Sequence, residues 1–190
     1  MTLDIAIVLY DDMTSLDAIG PMDVLRFLPG AQLAFVAEKR TPVLTDTKVL
    51  ELVPWLRAVH PTTRWTTSVC SGSLLLGAAD PLRGAEATSH FAVLDLLTSF
   101  GATPTDERVV VDEDRHVITA AGVSSGIDMA LVLAELLTDA ETADAIQLVT
   151  EYDPQPRRRS GSLATGTEQV VARAVELGRP HGAIPEFWSP

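Results

Sequence analysis

The stretch Trp65-Thr66-Thr67-Ser68-Val69-Cys70-Ser71-Gly72-Ser73-Leu74-Leu75-Leu76 joins two kinds of local structure at one residue. The β-branched run up to Val69 suits a pleated, buried strand, and Ser-Gly-Ser followed by a Leu/Ala run opens a helix. The single cysteine of the chain, Cys70, stands at the turn between them. A helix starting there aims its unpaired N–H groups and positive end at the thiol, which favours thiolate and supplies donors for a developing anion. A free cysteine buried as a small hydrophobe gives the same local pattern. The turn by itself therefore leaves a nucleophile and a packing residue both open.

Working outward, Leu3 to Tyr10 is a continuous apolar strand, and the turn after it leads into a helix carrying Asp17, Gly20-Pro21 and Val24-Leu25. Leu33 to Ala37 is a second strand. Lys48 to Val59 reads as a helix despite Pro54, with Val49, Leu52, Val53 and Leu56 on one face. After the strand Trp65–Val69 come helices at Ser71–Ala79 and Phe91–Thr98 and short strands near Arg108–Val111 and Val117–Thr119. Helices at Ile127–Leu137 and Ala140–Tyr152, a Ser/Gly/Thr-rich loop from Arg157 to Thr167, and a last helix at Glu168–Leu177 complete the order. Strands alternating with helices predict an α/β fold, a mostly parallel sheet covered on both faces. Ligands in such sheets gather at the carboxyl ends of the strands, where Cys70 and the turn before Asp17 fall.

The 190 residues, 46% hydrophobic and 21% charged, suffice for a real core and fit a single domain over residues 1–190. One cysteine excludes an internal disulfide framework, and His60, His90, His116 and His181 lack the spacing of a zinc site, so no metal is expected. The longest apolar runs are too short to cross a bilayer and Asp4 interrupts a signal-peptide pattern, so the expected location is cytoplasmic with no membrane partner. A net charge of −12 opposes binding to a polyanion, and Arg157-Arg158-Arg159 in its Pro/Ser/Gly setting reads as a solvated loop. Nucleic acid is not an expected partner.

Several motifs now agree in order. Thr67-Ser68-Val69-Cys70-Ser71-Gly72-Ser73-Leu74-Leu75-Leu76-Gly77 through Pro81-Leu82-Arg83-Gly84 to Ala87-Thr88-Ser89-His90-Phe91 resembles the ThiJ/PfpI superfamily of flavodoxin-like, class I glutamine-amidotransferase-like proteins. Leu16-Asp17-Ala18-Ile19-Gly20-Pro21, the turn Ile118-Thr119-Ala120-Ala121-Gly122-Val123-Ser124-Ser125-Gly126-Ile127-Asp128, and Gln147-Leu148-Val149-Thr150-Glu151-Tyr152-Asp153-Pro154 extend the likeness over most of the chain. Within the superfamily the strongest resemblance is to the isonitrile (isocyanide) hydratases.

That resemblance implies addition of water to R–N≡C to give an N-substituted formamide. It needs no cofactor, acts on a small-molecule isocyanide, and implies a twofold homodimer. Cys70 matches the nucleophile and Asp17 the acid; a soft thiolate suits an electrophilic carbon, and a carboxyl group can donate and later accept a proton. Without the resemblance, Asp17 would read as a carboxylate complementing a helix N-terminus. Ser71 matches the position where a backbone N–H and a small hydroxyl contact the bound anion or water. His90 matches a histidine that hydrolytic relatives pair with their cysteine, and it also suits a structural hydrogen-bond partner heading a helix. Gly72, Gly122 and Gly126 read as turn residues or sites of close backbone approach, Val123 as pocket lining, and Asp128 as the cap or orienting group of its helix.

Two features keep other classes in view. Between Thr47 and Lys48 the family has about 30 more residues, a hairpin and a buried strand, well beyond an ordinary connection. Either that segment is deleted, or the chain as written omits it; omission is the expected answer, because losing an interior strand would leave backbone groups unpaired. Regulators of the AraC type share the Leu-Asp and Cys-Ser/Thr-Gly signatures but append a DNA-binding domain of about a hundred residues, for which this chain has no room. Glyoxalase-like, deglycase-like and peptidase or amidase relatives usually carry glutamate at the position of Asp17.

Overall fold

The computed structural model describes residues 2–10, 13–37, 49–181 and 183–189. The junction between Thr47 and Lys48, where the omitted segment is expected, lies outside the described residues. Strands β1 (Leu3–Val8), β2 (Ala31–Val36), β3 (Thr66–Val69), β4 (Glu86–Ala87), β5 (Thr103–Pro104), β6 (Val109–Asp112) and β7 (Val117–Ala120) alternate with helices. These are α1 (Ser15–Leu25), α2 (Val49–Val59), α3 (Gly72–Ala78), α4 (Ser125–Leu137), α5 (Ala140–Val149) and α6 (Glu168–Gly178).

The fold is flavodoxin-like α/β, with its strands in three groups. β1 and β2 pair in parallel, β3 and β7 pair in parallel with β6 antiparallel on the outside, and β4 and β5 form a short parallel pair. Among the described residues no strand bridges β1 to β3. Both nevertheless lean on one core. Val24, Leu25 and Leu28 from α1 and its end, Ile118 and Ala120 of β7, and Met129, Ala130 and Leu133 of α4 form it, with Ile5, Leu33 and Val69 packed against it.

Successive side chains of a strand face opposite ways, so β7 shows whether both faces are covered. Ile118 and Ala120 enter the α1/α4 core, while Val117 joins a second cluster with Leu76, Leu82, Ala87 and Leu97 on the other face. The expected two-sided burial holds there. It fails at β1, where Leu3 and Ile5 are half-buried but Asp4 and Ala6 are exposed.

The segment Phe91–Thr98, expected as an α-helix, is instead a turn leading into a 3-10 helix at Leu94–Phe100. Val93 has non-helical backbone angles and Gly101, at φ +79°, closes the segment in the left-handed region, so the run between them is short. Gly101 then directs the chain into β5, whose Thr103 N–H donates to Ala85 O at 2.8 Å.

Candidate active site

Cys70 sits at the carboxyl end of β3 with φ +58°, a left-handed conformation uncommon for a residue with a side chain. Such strain costs about 1–3 kcal/mol and persists only where the surroundings over-determine it. Here they do. The Cys70 N–H donates to Ala120 O and Ala121 O at 3.1 and 2.9 Å, and its carbonyl accepts from Ser73 Oγ at 3.3 Å and Ser89 Oγ at 3.0 Å. The elbow is thus locked from β7, from α3 and from the segment after β4.

The backbone N–H groups of Val123 and Ser71 face the sulfur. Val123 reaches it from the turn after β7 with φ +34°, itself strained for a β-branched residue. These donors favour thiolate, as the turn geometry predicts, but they do not win. Burial pushes the Cys70 thiol up, and the neighbouring Asp17 carboxylate pushes it further. The expectation of a thiol acidified by its helix is corrected on that physical ground.

Asp17 comes from the first turn of α1, so the two residues meet across the rim from separate halves of the strand layer. Its carboxyl group is half-buried and raised from 3.8 to about 6, first by burial; the Cys70 thiol, donating toward it, opposes the rise. One carboxylate oxygen, Oδ1, is fully buried without a hydrogen-bond partner. Asp17 and Cys70 therefore face each other in a site that leaves an acceptor unspent.

Ser71 occupies the N-cap position of α3, yet its side chain caps nothing. The Tyr10 phenol stands nearby over Gly72, and burial pushes it above its ordinary range. Sequence reasoning missed Tyr10. The available signal was a polar tip closing an otherwise apolar strand at the carboxyl rim. Gly72 has neither a left-handed backbone nor a close approach: an added Cβ would meet Ser68 Cβ at 3.7 Å and Tyr10 Oη at 3.9 Å, both ordinary contacts. The turn at this point is made by Cys70, not by Gly72.

His90 lies against Gly122, where an added Cβ would come within 2.7 Å of the ring. Its Nδ1 accepts the Ala92 N–H at 3.3 Å, and the ring stacks on Phe91 with centroids 4.3 Å apart. Burial lowers its basicity, so it is held as the neutral imidazole. None of these contacts is with Cys70. Gly122 is a site of close approach, as is Gly126, where an added Cβ would meet Val69 Cγ2 at 3.0 Å. Asp128 does not cap α4; it accepts from Arg108 at 2.6–2.8 Å and from Tyr152 Oη at 3.1 Å, tying the entry to β6 and the segment after α5 onto α4. Among the described residues no three His, Cys, Asp or Glu side chains converge as a metal-holding group, and no helix is long and apolar enough to cross a membrane.

A strained cysteine elbow at the carboxyl rim of a flavodoxin-like fold defines a class, and the chain belongs to the DJ-1/PfpI family, whose profile matches residues 40–136. It is 36% identical over 211 aligned positions to an isonitrile hydratase from Pseudomonas putida, covering 95% of this chain and 92% of that one. The crystal structure of a ThiJ/PfpI family protein from Pseudomonas syringae superposes with a TM-score of 0.86 at 34% identity, over 95% of this chain and 88% of that one. Drosophila melanogaster DJ-1beta, at 17% identity and a TM-score of 0.63 over 81% of this chain and 100% of that one, shares the fold.

Proposed function

We propose that this protein is an isonitrile hydratase in which Cys70 is the nucleophile and Asp17 the general acid and base. The observation that carries the reading is the facing pair itself: a buried thiol beside a half-buried carboxyl group raised to about 6, one of whose oxygens has no hydrogen-bond partner. The likeness to the Pseudomonas putida hydratase supports the substrate class.

The steps follow from that proton. As the sulfur bonds to the terminal carbon of R–N≡C, Asp17 takes the thiol proton and returns it to the same carbon, leaving a neutral thioimidate, R–N=CH–S. Asp17, again a carboxylate, then draws a proton from water as the water oxygen bonds to that carbon and the nitrogen gains the proton. The remaining hydroxyl proton then passes through Asp17 to sulfur as the C=O bond forms and the C–S bond breaks, and R–NH–CHO departs. Water is the only co-reactant. An Asp17 group raised to about 6 sits near the operating pH, where it can both hold and release a proton.

The test is formamide release from a panel of alkyl and aryl isocyanides, beside methylglyoxal and a peptide ester. Formamide release supports the hydratase. Turnover of methylglyoxal or the ester alone points to a glyoxalase-like or peptidase-like enzyme, and binding without turnover points to a ligand-binding domain.

We also infer a cytoplasmic homodimer built from single domains. Exposed Phe35, Leu148 and Val149 supply apolar surface for association, and light scattering giving a 20.4 kDa monomer at micromolar concentration would refute the dimer. The chain as written is further inferred to omit a segment between Thr47 and Lys48. Among the described residues β1 pairs only with β2 and β3 only with β7, which supports this, and sequencing the gene across that junction decides it.

A further inference from the structure

Arg108 stands one residue before β6 and touches the turn between β7 and α4 at both of its ends. At the near end its carbonyl accepts the Ala121 N–H at 3.0 Å. At the far end its guanidinium donates to Ser124 Oγ at 3.2 Å and to Asp128 Oδ2, in the first turn of α4, at 2.6–2.8 Å. Tyr152 Oη donates to the same carboxylate oxygen at 3.1 Å. An ion pair partly open to solvent adds little to global stability, and Asp128 does not cap its helix, so the arrangement calls for a reason. Its place supplies one: the residues between the two ends are Gly122 and Val123.

That turn also supports the cysteine elbow. The Ala121 peptide is bonded on both sides, its N–H to Arg108 and its carbonyl to the Cys70 N–H at 2.9 Å, while Ala120 O takes the same Cys70 N–H at 3.1 Å. Two residues on, Val123 has φ +34°, a conformation that a β-branched residue keeps only where its neighbours fix it. We propose that Arg108 is a positioning residue for Cys70: bonded to Ala121 through its carbonyl and to Ser124 and Asp128 through its guanidinium, it clamps the turn that holds the Cys70 backbone and carries the Val123 N–H beside the sulfur. This rests on the reading of Cys70 as the nucleophile. A fixed donor acts most strongly once the sulfur carries charge, so the clamp serves the step in which Asp17 removes the thiol proton. Asp17 from α1 is the charged group beside the thiol, with Tyr10 close by over Gly72 and a neutral His90 on Gly122; the Arg108 side chain is bonded to none of the three.

The experiment follows iodoacetamide alkylation of Cys70, the only thiol, by intact mass between about pH 7 and 10, alongside kcat and KM for a small alkyl isocyanide. It compares the native protein with Arg108→Ala, Ser124→Ala and Tyr152→Phe. Arg108→Ala is expected to raise the alkylation midpoint by about half to one pH unit, and to lower kcat about three- to tenfold with KM within about twofold. Ser124→Ala keeps every charge and removes one end of the clamp, so its midpoint is expected to rise as well. Tyr152→Phe removes a bond to Asp128 but leaves the clamp, and its midpoint is expected to match the native one. Circular-dichroism melts of all three variants are expected to stay close to the native protein.

An unmoved midpoint or an undiminished kcat in Arg108→Ala would overturn the role; were that variant not to fold, the Ser124→Ala midpoint decides. A shift in Arg108→Ala with none in Ser124→Ala would make the arginine's charge the agent instead of the clamp. An equal shift in Tyr152→Phe would make Arg108 a general support of α4, and either result overturns the proposal. A native protein releasing no formamide would overturn the hydratase reading, while the alkylation midpoints still decide the clamp. Formamide release by the native protein with every midpoint unmoved would overturn this proposal alone.

Discussion

Replacing Asp17 by Asn is expected to move activity and stability in opposite directions. The carboxyl group ionises near 3.8 in an unfolded chain and near 6 in the folded protein, so the native state holds its proton more tightly. Its contribution to stability is therefore fully present below about pH 4 and is lost as pH rises through about 6. Screened by solvent at a half-buried site, that loss is about 1–2 kcal/mol at pH 7. Asparagine cannot ionise, so the variant is expected to melt about 2–6 °C above the native protein at pH 7, with the difference vanishing near pH 4. Turnover is expected to fall by about 10²–10⁴, because an amide can neither take the thiol proton nor return it to carbon. Native kcat/KM is expected to decline on the acid side with a midpoint near 6, where protonated Asp17 no longer accepts from the thiol. Circular-dichroism melts between pH 4 and 8, paired with formamide release, measure both effects. A variant less stable than the native protein at pH 7, or one retaining more than about a tenth of native turnover, would refute the reasoning.

Cys70→Ala and Cys70→Ser are both expected to be inactive with folded circular-dichroism spectra; more than about a tenth of native rate in the alanine variant, a barrier change of only ~1.4 kcal/mol, rules out covalent catalysis. His90→Asn is expected to cost far less turnover than Asp17→Asn, since the ring packs on Gly122 and Phe91 and takes its hydrogen bond from Ala92; the reverse ranking would mark a Cys-His hydrolase. Gly77→Ala places a Cβ 2.8 Å from the Phe100 ring and is expected to destabilise by about 1–3 kcal/mol in a denaturant melt, with kcat of the folded fraction unchanged.

Reading the sequence located Cys70 at its elbow because a change from β-branched to Leu-rich sequence is local and needs no tertiary information. Most helices and strands were legible for the same reason. The pair β4 and β5, with two residues each, leaves no periodicity to detect, and the Phe91–Thr98 segment has apolar spacing that suits an α-helix, whereas the chain leaves the helical region at Val93 and again at Gly101. The site was harder. Asp17 was legible only through the motif around it, since its raised ionisation comes from burial by residues distant in sequence. Tyr10 and the elevated Cys70 thiol depend wholly on what the fold brings together: desolvation at a rim assembled from β1, α1, β3 and the turn after β7 outweighs two backbone donors. No local pattern encodes that balance.

The same geometry shows what sets the Asp17–Cys70 pairing. β1 and β3 share no hydrogen bonds among the described residues, so the strand ladder does not hold α1 at a fixed place relative to the cysteine. Helix packing does. An added Cβ on Gly20 would lie 3.0 Å from Ile127 Cγ1, and one on Gly126 would lie 3.0 Å from Val69 and 3.3 Å from Pro21. Glycine at these two positions lets α1 and α4 approach backbone to side chain, and lets α4 settle on the last residue of β3 before Cys70. Asp17 stands three residues before Gly20, roughly one helical turn away, so this contact fixes its height at the rim. Gly20 and Gly126 act as spacers, as the close-approach reading of Gly126 expects: they bring an acid carried by one helix to a thiol carried by a separate strand, through a third element that touches both.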